Sequence, residues 1–179
     1  PVTEMMTLFW HGHFTSSLQK VKVPSLLYRQ NAMFRQNALG NFGTLLSGIV
    51  HDPAMLIYLD NVTNRQAAPN ENFARELLEL FTLGEGHYSE ADIKETARAF
   101  TGWAINPQSG GFIALPRQHD AGRKAILGQS GNFDGDDVVK ILLTDPRTAE
   151  RIVTSMWKTF VSPDPDPVEV KRLAALFRE

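Results

Sequence analysis

Asp-Pro occurs three times in the chain, at Asp52-Pro53, Asp145-Pro146 and Asp166-Pro167. A proline at the first helical position gives up no hydrogen bond, and an aspartate before it can accept from the free amides of the first turn, so each pair marks a helix start. Glu169, three residues after Asp166, strengthens the last signal, and Ser89 with Asp92 forms a second candidate capping box. Gly40, Gly84 and Gly102 can take left-handed dihedrals cheaply and supply stops. Punctuation this dense confines the chain to short helices, predicted over 3–19, 25–39, 42–50, 53–60, 71–83, 90–101, 135–143, 146–160 and 167–178.

The exception is 103–133, rich in Gly, Pro, Asn, Gln and Ser. Trp103-Ala104-Ile105 and Phe112-Ile113-Ala114-Leu115 flank a turn-forming stretch and read as a β-hairpin, joined by a short strand at Lys124–Leu127. The expected fold is therefore mainly α: an irregular multi-helix bundle with a small β-hairpin and short-strand insert around 103–127. Tyr28–Met33 is echoed by Phe34–Leu39, but six residues turn a helix through about 240°, so the copies face different ways and build no shared site.

At 179 residues, with 42% hydrophobic and 21% charged, the chain can bury roughly 70% of its unfolded surface, and one helical domain over 1–179 is expected. Twenty acidic against 18 basic residues, well interspersed, give a net charge of −2 and no long-range pull on polyanions, which argues against a nucleic-acid partner. The longest apolar run, Ala54–Leu59, is far below the ~20 residues of a membrane helix, so no transmembrane segment is expected. Without cysteine there is no disulfide and no thiolate metal site. The start at Pro1 and the stop at Arg178-Glu179 inside a helical pattern read as a piece of a longer protein.

Three polar constellations are candidates for chemistry. On the helix predicted over 71–83, Phe73, Ala74, Leu77, Leu78, Leu80 and Phe81 fill one face, and Glu71, Asn72, Arg75, Glu76 and Glu79 the other. Glu76 and Glu79, three apart, stack on the surface and could hold a divalent cation with hard oxygens. An Arg75–Glu79 ion pair, or plain solvation, is the competing explanation. Second, His11 and His13 point about 200° apart on one helix and can share an ion only if Gly12 breaks it. His13 falls amid Met6, Phe9 and Trp10, where a buried imidazole needs a partner that an acid on another helix could supply. Third, Arg117, His119, Asp120 and Lys124 lie on an irregular connection, where ionisable side chains are often functional; the alternative is that they pin the loop.

Other templates fail. Asn132, Asp134 and Asp136 resemble the start of a calcium loop, but Asp137 stands where glycine is required, and capping explains Asp134 better. The zincin, phosphate-loop and nucleophile-elbow patterns do not occur, nor does the Glu-x-x-His of a di-iron bundle. Gly128-Gln129-Ser130-Gly131 reads as a turn.

The order of Phe9–Phe14, Arg35–Gly40, Asp52–Leu56, Asn70–Phe81, Ala99–Trp103, His119–Lys124 and Gly131–Gly135 resembles the bacterial domain-of-unknown-function 1800 family over nearly the whole chain. That resemblance implies a longer protein with helical sequence on both sides, export from the cytoplasm in many members, and a sulfatase-related neighbour protein as a possible partner. Gly12 departs from the family, whose members often carry Asn there. The resemblance implies no activity. It draws His11, His13, Asn70, Asn72, Arg75, Glu76, Glu79, His119, Asp120 and Lys124 from distant segments, and their convergence would make a polar cavity between helices the default site.

The leading expectation is a metal-dependent enzyme, hydrolytic or oxidative, in which His13, Glu76, Glu79 and His119 hold a divalent metal ion able to lower the pKa of a bound water. His119, Asp120 and Lys124 form the catalytic group, Asp120 orienting a ligand. Asn72, Arg75 and Arg117 bind substrate, with Lys124 or Arg75 receiving an anionic group. The rival is a noncatalytic scaffold or partner-binding module of an exported assembly, in which the same residues are a structural network. A carbohydrate site would need Trp103, Tyr88 and Trp157 exposed.

Overall fold

Each Asp-Pro pair starts a helix. In the computed structural model, which describes residues 1–178, the Asp52 side chain accepts from the Met55 amide, Asp145 from that of Arg147, and Asp166 from those of Val168 and Glu169. These caps open α5 (Pro53–Tyr58), α9 (Pro146–Phe160) and α10 (Pro167–Phe177). Reciprocal boxes, Ser89 with Asp92 and Asp134 with Asp137, open α7 (Glu90–Ala99) and α8 (Gly135–Thr144). With α1 (Val2–His13), α2 (Leu18–Val21), α3 (Pro24–Asn37), α4 (Phe42–Val50) and α6 (Asn72–Glu76), the chain is 61% helical and mainly α. Gly84 and Gly102 are left-handed, as stops require; Gly40 is not.

Three of the predicted elements differ in the structure. The helix expected over 3–19 stops at His13, and Gly12 remains helical. Phe14 leaves the helix with its ring wholly buried, at centroid distances of 5.8 Å from Trp10, 6.1 Å from Phe34, 6.4 Å from Phe42 and 5.0 Å from Phe81. The helix expected over 71–83 turns π-helical over Leu77–Thr82, where the Thr82 hydroxyl donates to the Leu77 carbonyl at 2.7 Å and the Leu83 amide to Leu78 at 2.9 Å. Lys124–Ile126 does not join the first hairpin.

Two separate antiparallel hairpins form instead. β1 (Trp103–Ile105) pairs with β2 (Phe112–Ala114), Ala104 opposite Ile113, and β3 (Lys124–Ile126) pairs with β4 (Gln129–Gly131), Ala125 opposite Ser130. The turn of the second is Leu127-Gly128, at φ of 50° and 79°, so Gln129 to Gly131, read as turn residues, form a strand. Leu127 tolerates the left-handed region because its amide donates to Asp92 at 2.7 Å and its side chain packs on the core.

The helices pack as a chain of neighbours, α1 on α3, α3 on α4, α4 on α8, α8 on α9 and α9 on α10, while α6 and its π turn lie against α7 and α9. The main core runs from Phe14, Phe34 and Phe42 through Leu45, Leu46 and Phe73 to Phe100 and Trp103. Two further buried groups lie where α9 meets α10 and where α2 and α3 meet α5. Among the described residues no helix is long and apolar enough to cross a membrane.

Gly135 marks the tightest approach in that core: a Cβ there would lie 2.4 Å from the Trp103 ring and 2.7 Å from Phe100. Both rings are enclosed and cannot swing aside. Gly135→Ala is expected to lower stability by about 1–3 kcal/mol despite the better helix propensity of alanine, read from urea unfolding. An unchanged midpoint would mean that α8 can slide off Trp103 at no cost.

Candidate functional site

A groove of about 980 Å³ lies between α1, α6 with its π turn, and α9. Helix α1 lines it with Met5, Leu8, Phe9, Gly12 and His13, α6 and the π turn with Asn72, Glu76, Leu80 and Phe81, and α9 with Arg151, Ser155, Thr159 and Phe160. Thr15, Lys20, Tyr58 and Leu59 complete it. Of the expected site residues the groove gathers His13, Asn72 and Glu76.

His13 is held by the π turn. Its Nε2 lies 3.0 Å from the Phe81 carbonyl, which sits in the last turn of its helix where no helical amide follows to reach it. A carbonyl only accepts, so Nε2 carries the proton and Nδ1 of the neutral ring keeps its lone pair. Nδ1 has no partner among the described residues and is not sealed from solvent. The expected acid partner is thus replaced by a backbone carbonyl. Burial lowers the imidazole pKa to about 4; the Phe81 hydrogen bond opposes that shift and the charge of Arg151 adds to it. His11 faces away, its Nε2 accepting from Asn31 at 2.8 Å and its ring edge-on to Phe34, so the two histidines do not share a site.

The π turn also separates the two acids. It holds more residues per turn than an α-helix, so residues beyond Leu77 lag behind their α-helical azimuth. Leu80, predicted inside the apolar face, emerges beside Glu76 on the groove wall and is 46% exposed. Glu79 turns to Tyr88, whose hydroxyl donates to it at 2.6 Å; desolvation first, then that hydrogen bond, push the phenol up to about 12. Glu76 has no partner among the described residues, and its pKa is raised by burial first and by Glu79 second. Arg75 does not pair with Glu79: it grips Glu90 with two bonds of 2.9 Å and lies 3.5 Å from Glu71. Asn72 donates to Asp60 at 3.2 Å, which also receives Lys20 at 2.7 Å.

Arg151, Ser155 and Thr159 were not singled out by the sequence, although their spacing of four puts them on one stripe of α9. Arg151 forms no ion pair among the described residues, and its Nε is sealed from solvent without an acceptor.

The third constellation lies elsewhere, where the β insert meets α7. Asp120 takes Arg98 Nε at 2.7 Å and Nη2 at 3.2 Å, while Arg98 Nη1 grips Glu95. The Arg98 guanidinium holds the Asp120 carboxyl down to about 2. Lys124 is 1% exposed, donates to the carbonyls of Asp120 and Gly122, and has its pKa lowered by desolvation. His119 Nδ1 lies 3.0 Å from the Thr101 carbonyl, next to left-handed Gly102, where a Cβ would strike the Leu115 carbonyl at 2.7 Å. Arg117 is exposed on the turn before it. Among the described residues no three His, Asp or Glu side chains group to hold a metal ion, so the expected set of His13, Glu76, Glu79 and His119 is not assembled. The carbohydrate alternative loses its platform, because Trp103 is buried and Tyr88 and Trp157 are half-buried.

The model of the family described as "Protein of unknown function (DUF1800)" matches residues 1–179, the whole chain, and the chain belongs to that family. No curated protein and no solved structure matches it.

Two measurements check these electrostatics. The folded imidazole of His13 titrates near 4 against 6.5 when unfolded, so the folded state loses stability as pH falls through that window. Nitrogen-15 NMR should show His13 neutral at pH 5.5 as the Nε2–H tautomer; protonation near 6.5 would remove the burial argument. For Asp120 the order is reversed: the folded value of about 2 lies below the unfolded 3.8, so the ion pair contributes fully above pH about 4 and is lost as pH falls through about 2. Asp120→Asn should cost about 2 kcal/mol at pH 7 and almost nothing near pH 2. A cost independent of pH would point to packing instead.

Proposed function

We propose that this DUF1800 member binds a small organic ligand in the groove between α1, α6 and α9. One observation carries the reading: among the described residues, the Nδ1 of His13, the Glu76 carboxylate and the Arg151 guanidinium are without protein partners, on three walls of one cavity. Arg75, Glu79, Asp120 and Lys124 are each engaged elsewhere. Polar groups left open in a concave, largely apolar surface are what a ligand site presents. The volume suits an organic molecule of ordinary size. Inside it a ligand meets a hydrogen-bond acceptor at His13, a carboxyl with raised proton affinity at Glu76, and a fixed cation at Arg151.

A metal-assisted hydrolytic or oxidative reaction is the second reading, and the tautomer of His13 favours it. A ring held by Nε2–H donation to a carbonyl, with its other nitrogen free, is the arrangement of metal-ligating imidazoles. Nδ1 of His13 and the Glu76 carboxylate would be two donors, and substrate or water would supply the rest. The noncatalytic reading applies best to the insert. There the Glu95–Arg98–Asp120 ion pairs and buried Lys124 support a fastening role rather than chemistry.

Gly12 provides the test. Gly12 lines the groove and a Cβ there meets nothing within 4 Å, so Gly12→Leu is expected to fill groove space while raising helix propensity by up to about 1 kcal/mol. An NMR fragment screen of the native chain should shift the amides of Gly12, His13 and Ser155, and the same fragments should leave Gly12→Leu unmoved at unchanged or higher melting temperature. Hits that ignore the groove, or that bind Gly12→Leu equally well, would refute the assignment. Titration with Zn²⁺ and Mn²⁺, native against His13→Ala, separates the metal-assisted reading: saturable binding lost in the variant supports it.

A further inference from the structure

We infer that the groove's ligand is an amphiphilic anion, a carboxylate-type head on an aliphatic chain, with the head on Arg151 and the chain along α1. This inference rests on the groove being a ligand site. The charge balance is its first support. Arginine stays ionised at any physiological pH, and its planar fork matches a carboxylate bidentately. Arg151 has no acid within ion-pairing distance among the described residues; its Nε is sealed from solvent and out of a groove ligand's reach, whereas its two terminal nitrogens are unpaired and not sealed. Two terminal nitrogens of an ionised guanidinium, open to a concave surface and facing no carboxylate of the fold, present the fork that an anionic group completes.

Nearby charges do not neutralise it. Glu85, Glu150 and Arg147 line a small depression that Arg151 also borders, and among the described residues neither acid forms a bridge to it, while Arg147 is bound to Asp145. Within the groove Lys20 is spent on Asp60, and His13 is uncharged. Glu76 is the groove's remaining charge, and its surroundings are set by Glu79 and Arg75, whereas the charge of Arg151 is felt at His13. The groove therefore has a cationic end at α9 and an acidic end at α6. Ser155 and Thr159 continue the Arg151 stripe along α9 and can hydrogen-bond a head group.

The walls supply the second support. Leu8 is 71% exposed, Met5 53% and Phe160 42%, and with Leu80 they rim the groove. Contiguous exposed apolar side chains of this size mark a surface that buries something apolar. A purely polar anion would leave that rim wet, and a neutral hydrocarbon would leave Arg151 unpaired. One molecule that satisfies both carries an acid at the end of an alkyl chain.

The test titrates decanoate, 1-decanol and decyltrimethylammonium, all below micelle-forming concentrations, into the native chain, Arg151→Gln, Arg151→Lys and Gly12→Leu, following groove amides by NMR. Decanoate should bind at least about 10-fold tighter than decanol, the size of one charge-assisted pair, and the cation weakest. Arg151→Gln should bring decanoate down to decanol, Arg151→Lys should keep part of the preference, and Gly12→Leu should abolish all binding. Should Arg151→Gln fail to fold, the native preference and Arg151→Lys decide. Equal affinity for decanoate and decanol, or a preference that survives Arg151→Gln, overturns the anion while leaving the groove as a site. Failure of every alkyl probe, with fragments still shifting groove amides, also overturns this inference alone. Failure of both overturns the groove.

Discussion

Phe14 is the residue on which the rest of the structure turns. Its ring is enclosed by Trp10, Phe34, Phe42 and Phe81, so it ties α1 to α3, to α4 and to the π turn at once. Burying an aromatic side chain contributes on the order of 2–3 kcal/mol, and the Phe14 amide keeps its helical bond to the Trp10 carbonyl at 2.8 Å, so the turn out of α1 costs little at this residue. Helix α1 therefore ends at His13, well before the predicted residue 19, and the imidazole is delivered to the Phe81 carbonyl. The groove exists because that aromatic joint brings α1 to the π turn while α9, packed on the same turn, forms the opposite wall.

The π turn converts an amphipathic helix into two surfaces. Up to Leu77 the α-helical period holds, and Phe73, Ala74 and Leu77 are buried as the apolar face requires. Beyond it the azimuth shifts, Leu80 comes out beside Glu76, and Glu79 meets Tyr88. A pair of carboxylates that an undisturbed helix would stack becomes one acid in the groove and one in a phenol hydrogen bond. Glu79 still raises the proton affinity of Glu76, because Coulomb coupling reaches further than a shared ligand can.

The β insert solves a different problem. Burial anchors it at Trp103 and Ile126, and between those points ion pairs and backbone amides fasten it: Arg98 joins Glu95 to Asp120, Glu95 also accepts from the Ala125 amide, and Asp92 accepts from the Leu127 amide. Helix α7 thus presents Asp92, Glu95 and Arg98 as a row of anchors at three-residue spacing, each fastening a different point of the insert. Partial burial strengthens these pairs relative to surface ones, provided each polar group finds its partner.

Much of this protein is legible along its sequence because helix caps are local. Asp52, Ser89, Asp134, Asp145 and Asp166 each accept an amide within three residues, and all sit where side-chain chemistry and proline geometry put them. His13, Asn72 and Glu76 could be named as site residues because their types stand out on predicted helices. Their partners could not. The carbonyl that fixes His13 lies 68 residues away and belongs to a phenylalanine, so no side-chain pattern announces it. The π turn, the withdrawal of Glu79, the second hairpin and the solitude of Arg151 all depend on which neighbours tertiary packing brings or withholds. Local hydrogen bonding is encoded residue by residue, but whether a charge is paired is decided only when distant helices have docked.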